Sequence, residues 1–271
     1  MLTIRHADVH LVIDENDGGR AVSWQVAGHE ILGSQGTHEI NYGMYPMAPW
    51  AGRLRDNAVT INGIEYSLPV NFDPWAIHGL VLTSQFSVIR HQENHLVLER
   101  EFGNNWPVAG GVRCDWILDD EGLTTEIICI STSDAFPAVV GWHPWFRREI
   151  SHREAVWTTD CHEQLHRGSD ALPTGERVLL DLADGPFDDV FTGGRHASIE
   201  WPGVLRVDVE NSHPWFVVFD ELPNFICLEP QTGPADGLSG EHAPVTMVTP
   251  DQPLVMRTRW RITRAQQQGS A

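Results

Sequence analysis

Short runs of β-branched and aromatic residues alternate with turn residues along almost the whole chain. The pairs that predict hairpins are VHLVI and AVSWQV around DENDGG, FSVIR and HLVLERE around HQEN, VRCDWIL and LTTEIICIS around DDEG, SIEW and VLRVDVE around a Pro-Gly turn, and PVTMVT and PLVMRTRWRI around PDQ. No stretch of ten or more residues keeps apolar positions at helical spacing without an interrupting Gly or Pro. The pattern therefore predicts an all-β protein with few short helices.

The segment from Thr124 to Cys129 indicates how these strands pack. Its residues do not alternate cleanly between apolar and polar, which is expected where other sheets cover both faces. No linker and no repeat of fixed period divides the chain, so propellers and solenoids are disfavoured. We therefore predict one large antiparallel β-sandwich domain over residues 1–264, followed by a disordered tail over residues 265–271.

The composition narrows the range of partners. The chain has 271 residues, of which 41% are hydrophobic, and this is enough to form a sizeable core. Its 18 Lys and Arg residues against 37 Asp and Glu residues give a net charge of −19, which repels phosphate backbones and anionic lipid. We expect a neutral or cationic small molecule as the ligand, rather than nucleic acid or a membrane surface.

The first residues and the cysteines predict a soluble cytoplasmic protein. Acids at Asp8, Asp14 and Glu15 stand where a signal peptide would be basic and then apolar, and no window has the roughly 18 to 20 consecutive apolar residues that cross a bilayer. The cysteine spacing matches neither a zinc knuckle nor a thioredoxin motif, so we expect reduced structural thiols. The four cysteines are Cys114, Cys129, Cys161 and Cys227.

Three aromatic-rich segments break the hairpin rhythm and are predicted to be long, irregular loops: residues 41–78, 133–152 and 183–196. Loops on a rigid β scaffold often carry function. Taken one at a time, however, a loop histidine or arginine more often serves the structure, and adjacent carboxylates more often form turns. The polar residues concerned are Arg53, His78, Asp188 and Asp189, whereas for His143, between two tryptophans, sugar stacking and an ordinary core stay equally open.

The segment NFICLEPQTGPADG places a carboxylate at the end of an apolar run. Glu229 follows FICL, and we expect the next residue, Pro230, to end the strand ladder. A carboxylate in that position is costly to desolvate unless it is paired or kept for proton transfer. A structural ion pair produces the same pattern, so this residue alone leaves both interpretations open.

Motifs of several common enzyme classes are absent from the sequence. It contains no GxGxxG after a strand, no GxxxxGKS/T, no HExxH, no GxSxG and no EF-hand loop, which removes support for NAD-binding, nucleotide-binding and serine-hydrolase functions. His162 and His166 in CHEQLHRG lack identifiable further ligands for a zinc site. We therefore expect no catalytic metal.

Taken together, five segments resemble the aldose 1-epimerase (galactose mutarotase) family. YPMAPWAGRLRDN is similar to the loop with the family's substrate-orienting arginine, LPVNFDPWAIHG to its first histidine segment, GWHPWF to its second, DDVF to its short acidic motif, and CLEPQTGP to the segment of its catalytic base. The five segments keep the family's order between residues 41 and 234. The joint match is far more specific than any single segment.

The resemblance implies a β-supersandwich fold and the interconversion of the α and β anomers of a free aldose, without a cofactor. It implies that Glu229 removes the proton of the C1 hydroxyl while His143 protonates the ring oxygen, and that His78 donates to the sugar near C1. The adjacent Asp189 competes with Asp188 for contact with the sugar. The residues that the resemblance implies for substrate binding are Arg53 and Asp188, and we expect either Trp75 or Trp145 to form a wall that stacks on the sugar.

Other functions stay open from the sequence, as does the choice between monomer and homodimer. A hexose-6-phosphate 1-epimerase would need a basic cluster, for which only Arg147 and Arg148 follow the second histidine motif. A glycoside hydrolase could pair Glu229 with Asp188, but the two histidines would then lack roles. A non-catalytic sugar sensor would keep the pocket, although binding alone needs no matched acid and base.

Overall fold

The computed structural model describes residues 1–33 and 38–265, so the predicted tail lies outside the described residues except for Ala265. In these two ranges the chain has 25 strands, numbered in chain order, and three 3-10 helices of three residues each, Arg55–Asn57, Gly103–Asn105 and Leu182–Asp184. Among the described residues, no helix is long and apolar enough to cross a membrane. The domain boundaries at 1 and 264 stay a prediction.

The described strands form a larger sheet of eleven strands, a smaller sheet of eight and three two-stranded ribbons. The larger sheet contains, in spatial order, β1 (Leu2–His6), β2 (Val9–Asp14), β3 (Arg20–Val26), β5 (Met44–Met47), β13 (Gly141–Arg147), β23 (Phe225–Gln231), β22 (Trp215–Phe219), β19 (Asp188–Thr192), β17 (Glu163–Arg167) and β18 (Pro173–Leu179), with β4 (His29–Glu30) paired to β3. The smaller sheet contains β16 (Val156–Thr159), β20 (His196–Trp201), β21 (Leu205–Asn211), β25 (Leu254–Arg264), β11 (Gly122–Ser131), β10 (Gly110–Asp119), β9 (His95–Glu101) and β8 (Ser87–His91). The ribbons are β6 (Ala58–Ile61) with β7 (Ile64–Ser67), β12 (Phe136–Ala138) with β24 (Thr246–Val248), and β14 (Glu149–Ile150) with β15 (Arg153–Glu154).

The core lies between the two large sheets, where aromatic side chains from both sides interlock. Trp24 of β3 meets Trp260 of β25 edge-on, with ring centroids 6.0 Å apart. Trp142 of β13 meets Trp116 of β10 at 4.5 Å. All four side chains are buried. Side chains alternate between the two faces of a strand. The side chains next to Trp142 in β13 therefore project from the opposite face of the larger sheet.

The fold confirms the prediction of an antiparallel all-β sandwich with few short helices. The strand pairs β2–β3, β8–β9, β10–β11 and β20–β21 are predicted hairpins that form. The fifth predicted hairpin, across PDQ, forms only as the single antiparallel bridge between Thr249 and Gln252, because β24 pairs with β12 while β25 pairs with β11 and β21. β25 pairs with β11 from Leu254 onward, whereas its pairing with β21 begins only at Thr258.

The three segments predicted to be irregular loops are partly strands of the larger sheet. They contain β5, β13 and β19 respectively. β5 and most of β13 are buried on both faces, so their sequences, MYPM and GWHPWFR, show a continuous apolar run instead of alternation. Their prolines and glycines added turn signals, which favoured the wrong prediction.

The strand ladder also does not end before Pro230, contrary to expectation. β23 continues to Gln231, and β22 pairs with it at both positions. On the other side of β23, Gly141 pairs with Gln231 and Trp145 with Cys227, but no pairs form between them. The proline is tolerated because it lies within this unpaired part of the β13–β23 ladder.

Replacement of Trp116 by alanine should destabilise the protein by about 3–5 kcal/mol, because it removes a buried indole from the contact between the two sheets. Urea denaturation measures this loss. The control is Leu179→Ala, at a side chain that is 83% exposed, with an expected change within about 0.5 kcal/mol. Equal effects of the two substitutions would contradict the placement of the core.

Candidate active site

The face of the larger sheet that points away from the core forms the floor of a cavity of about 280 Å³. His143 pairs with Tyr45 on β5, and Glu229 pairs with Val217 on β22. The β13–β23 register is the same at Gly141–Gln231 and Trp145–Cys227, so it places His143 directly opposite Glu229. The cross-strand row on this face therefore runs through Tyr45, His143, Glu229, Val217, Val190 and Leu165.

The wall above this row comes from the two loops that flank the β6–β7 ribbon. Asn71 ties the second loop, since its side chain accepts a hydrogen bond from the Ile77 N–H (2.8 Å) and donates one to the Ile77 carbonyl (2.9 Å). The backbone at His78 is left-handed, with φ +57°. At Gly79 a Cβ atom would lie 2.0 Å from the Ala48 carbonyl oxygen, so only glycine fits there. Strain of this kind concentrates at functional sites.

Hydrogen bonds from the first loop fix His78. Its N–H donates to the Gly52 carbonyl (3.0 Å), and the Gly52 N–H donates to Nδ1 of the imidazole (3.3 Å). Burial, with the charges of Arg53 and Arg20, lowers the pKa of His78 to about 3. The ring is therefore neutral near pH 7, and because Nδ1 accepts, Nε2 carries the proton. His78 can donate one hydrogen bond to a ligand.

At the centre of the floor, Nε2 of His143 lies 3.2 Å from Oε1 of Glu229. Both side chains are buried, at 4% and 2% exposure. The imidazole is stacked between two aromatic rings, Tyr45 at 4.9 Å and Trp145 at 5.0 Å, and His78 meets its edge at 4.9 Å. The ring of His143 is thereby held in one orientation toward the carboxyl group.

Burial changes the charge state of this pair. It raises the pKa of Glu229 well above its ordinary value, and the negative charge of Asp188 adds to this effect. The hydrogen bond that Gln231 donates to Oε2 (3.2 Å) acts in the opposite direction. Burial lowers the pKa of His143 well below its ordinary value, and His78 and Arg20 add to that effect. Burial therefore favours a neutral carboxylic acid beside a neutral imidazole, and the pair holds one transferable proton.

A polar cluster lies on the cavity wall beyond the pair. A carboxylate oxygen of Asp188 is 3.3 Å from the Arg53 guanidinium and 2.8 Å from that of Arg167. Arg167 also reaches Asp189 at 3.5 Å and Glu221 at 3.1 Å. Alternating donors and acceptors of this kind match the hydroxyl groups of a sugar.

Three groups with metal-ligand chemistry lie close together on the floor. A ring nitrogen of His143, the thiol of Cys227 and the carboxyl of Glu229 are within 4.8 Å of one another. Burial raises the pKa of the Cys227 thiol well above its ordinary value, and a thiol must lose its proton to bind a metal. Nε2 of His143 and Oε1 of Glu229 are 3.2 Å apart, which is close enough for a proton to pass between them. The arrangement therefore favours proton exchange over metal binding.

The structure brings most of the predicted site residues to this cavity. The predicted residues that line it are Arg53, His78, His143, Trp145, Asp188 and Glu229. Both Asp188 and Asp189 line it, so the sequence ambiguity persists. Trp75 is not among its lining residues; Phe72 is, and the two residues exchange backbone hydrogen bonds in a tight turn that leaves Trp75 outside.

Sequence reasoning missed Arg167, Gln231 and Phe219, all of which line the cavity. Arg167 stands on β17, next to β19 only in the folded sheet, and no local motif marks it. Phe219 packs edge-on against Trp145 at 5.6 Å. For Gln231 a signal existed, because it lies two residues after Glu229 in the same strand and so on the same face.

Comparisons with known proteins agree with this architecture. A family model described as aldose 1-epimerase matches residues 1–241. An Escherichia coli K12 protein provisionally assigned as an aldose 1-epimerase is 19% identical, with 97% of this chain and 98% of that chain covered and a TM-score of 0.85. A galactose mutarotase-like protein from Clostridium acetobutylicum is 18% identical, with 97% of this chain and 94% of that chain covered and a TM-score of 0.84. A galactose 1-epimerase from Lactobacillus acidophilus NCFM is 14% identical, with 97% of this chain and 94% of that chain covered and a TM-score of 0.78. No curated protein sequence matches.

The fold and the cavity define a β-sandwich protein with a buried carboxyl–imidazole pair. The match of the family model over most of the chain adds the identity: the chain belongs to the aldose 1-epimerase family. The three solved structures named above are each below 25% identity to this chain, and they show the likeness of the fold.

The imidazole of His78 should stay neutral at pH 5, with the proton on Nε2, because its pKa is lowered to about 3 and Gly52 donates to Nδ1. Long-range ¹H–¹⁵N NMR spectra distinguish the two tautomers and the imidazolium. The signals are assigned through their loss in His78→Asn. A protonated ring at pH 5, or a proton on Nδ1, would show that the site differs from this description.

Proposed function

We propose that this protein interconverts the α and β anomers of a free, uncharged aldohexose. The observation that carries the proposal is the buried His143–Glu229 pair, 3.2 Å apart, on the floor of a cavity with a polar wall. Opening a pyranose ring requires removal of the C1 hydroxyl proton and protonation of the ring oxygen. A carboxyl–imidazole pair that shares one proton supplies both transfers.

The reactive form of the pair has the proton on the imidazole. Transfer across the 3.2 Å gap converts the neutral pair into a carboxylate and an imidazolium without any exchange with solvent. Glu229 then takes the proton of the C1 hydroxyl while His143 gives its proton to the ring oxygen. The bond between C1 and the ring oxygen breaks, and C1 becomes an aldehyde carbon.

Closure restores the starting state of the protein. Rotation about the C1–C2 bond presents the other face of the carbonyl group to the ring hydroxyl. The hydroxyl oxygen attacks C1 as its proton returns to His143, and Glu229 returns a proton to the carbonyl oxygen. The opposite anomer forms, and the pair again holds one proton. Each positioned group contributes roughly 10²–10⁴ to the rate.

The surrounding groups orient the sugar. The neutral His78 donates from Nε2 to the oxygen on C1, where negative charge develops during opening. Arg53 and Asp188 bind ring hydroxyls, and Arg167 joins them from β17. Trp145 contributes an apolar wall, with one face already stacked on His143.

The cavity suits a neutral sugar better than a phosphosugar. Both guanidinium groups that line it, from Arg53 and Arg167, are already paired with carboxylates. Arg147 and Arg148 are not among its lining residues, and Arg148 donates to the backbone carbonyls of Asp220 and Leu222 instead. A phosphate would therefore enter without an uncommitted arginine to receive it.

Glu229→Gln should abolish the acceleration of mutarotation and leave sugar affinity within about tenfold, because the amide keeps the shape and loses the proton acceptor. Polarimetry on freshly dissolved α-D-glucose and α-D-galactose measures the rate, and calorimetry measures binding. The control is Glu163→Gln, which removes a carboxylate paired with Arg177 away from the cavity.

Three results would contradict the proposal in different ways. Near-normal turnover by Glu229→Gln would remove this residue as the base. Binding of sugar without acceleration by the unmodified protein would indicate a sensor. Acceleration confined to hexose 6-phosphates would indicate the phosphosugar epimerase.

The pH profile of kcat/KM should be flat through pH 6.5 and fall on the acidic side only below it. The pair is inactive when it holds two protons, and this state forms only below the lowered pKa of His143. The alkaline limb should lie well above the ordinary carboxyl range, because the pKa of Glu229 is raised. Polarimetry from pH 4 to 9 tests this, and an acidic limb at or above pH 6.5 would contradict it.

A further inference from the structure

A fully buried arginine lies behind the candidate active site and does not line its cavity. Arg20 of β3 is 0% exposed. Its N–H groups donate to the backbone carbonyls of Tyr42 (2.7 Å) and Leu82 (3.3 Å). Burying a cation is costly, and such groups persist where their charge is matched or used.

The register places Arg20 in line with the catalytic pair. Ala21 pairs with Met44, so Arg20 lies opposite Tyr45 on the side of β5 that faces away from His143. The cross-strand row therefore extends by one position, and Arg20 and His143 flank the ring of Tyr45. The guanidinium carbon is 4.4 Å from the centroid of that ring, and the imidazole centroid is 4.9 Å from it.

The surroundings of Arg20 fix its position. Its guanidinium carbon also lies 4.1 Å from the centroid of the Tyr42 ring. Gly43, with φ +71°, leaves space for the stem, since a Cβ there would lie 3.0 Å from Cγ and Cδ of Arg20. The side chain is thus clamped between two tyrosine rings and cannot move away from His143.

The charge of Arg20 is compensated on one side only. Asp17 lies at 3.2 Å from Nε, is 28% exposed and also accepts a hydrogen bond from the Tyr42 hydroxyl. Nε itself has no hydrogen-bond partner among the described residues. The counter-charge is therefore on the solvent side of Arg20, while an aromatic ring occupies the side toward His143.

We propose that Arg20 is a positioning residue for the proton of the His143–Glu229 pair. Its buried positive charge acts across the ring of Tyr45 and disfavours a positive charge on the imidazole of His143. Two consequences follow. The pair does not take up a second proton in mildly acidic solution. The imidazolium that forms during catalysis is a stronger acid toward the ring oxygen of the sugar.

Other groups around His143 act differently from Arg20. Glu229 faces it from β23 and exchanges its proton. His78 meets its edge, and a positive charge on His78 would also lower the pKa of His143, but His78 is neutral above its own pKa of about 3. Tyr45 stacks on it from β5, and burial raises the pKa of Tyr45 well above its ordinary value, so this ring stays uncharged. Arg53 and Asp188 are paired with each other on the cavity wall. Arg20 is a permanent charge in the row of His143.

The test compares three substitutions. Arg20→Met removes the charge and keeps an apolar stem, whereas Arg20→Lys keeps the charge and loses the planar stacking. Asp17→Asn removes the counter-charge, and its side chain can still accept the hydrogen bond from the Tyr42 hydroxyl. The acidic limb of kcat/KM for mutarotation is measured for each by polarimetry. This readout rests on the proposed function.

The expected shifts have opposite signs. Arg20→Met should move the acidic limb up by about one pH unit, Asp17→Asn should move it down, and Arg20→Lys should stay near the unmodified protein. Equal shifts in Arg20→Met and Arg20→Lys, or no shift in Asp17→Asn, would overturn the proposal in favour of a packing role. If Arg20→Met does not fold, Asp17→Asn decides: a downward shift of the acidic limb supports the proposal, and no shift overturns it.

A second readout is independent of catalysis. NMR titration of the His143 ring, assigned through loss of its signal in His143→Ala, should show the same order of pKa values, with Arg20→Met highest and Asp17→Asn lowest. If the protein does not accelerate mutarotation but this order appears, the proposed function fails and the role of Arg20 stands. Absence of the order in an active protein overturns the role of Arg20 alone.

Discussion

The site depends on a carboxyl group and an imidazole that are held against each other inside a wall of aromatic rings. Leaving either group charged and alone in this environment would cost several kcal/mol. With one proton between them, Glu229 and His143 can both be neutral at 3.2 Å, yet they become a charged acid–base pair by a single proton transfer. The same burial that makes either group costly to charge alone keeps one transferable proton on the pair near neutral pH.

Sheet geometry explains how two polar residues come to lie beside a hydrophobic core. Alternation along β13 sends Trp142 toward the smaller sheet and His143 toward the cavity, so adjacent residues serve stability and chemistry separately. The register of β3, β5, β13 and β23 then aligns Arg20, Tyr45, His143 and Glu229 in one row. The loops that carry Arg53 and His78 cover this row, and a strained backbone at His78 holds one of their donors in place.

The sequence predicted four hairpins across the two large sheets and missed the central strands of the larger sheet, for a physical reason. Outer strands such as β2 and β3 have clear turn residues between β-rich runs, whereas β5 and β13 are buried on both faces and contain prolines. Single residues such as His143 were ambiguous, and five segments in the family's order suggested the site. Arg167 and Arg20 could not be found in this way, because only strand pairing brings them near the pair.

The central claim is that His143 and Glu229 act as one proton-exchanging unit. The direct test is a double-mutant cycle, in which mutarotation is measured by polarimetry for His143→Ala, Glu229→Gln and the double variant. If the two groups act as a unit, the double variant should be no slower than the slower single variant. Losses that add in free energy would show that the two residues act separately and would contradict the account.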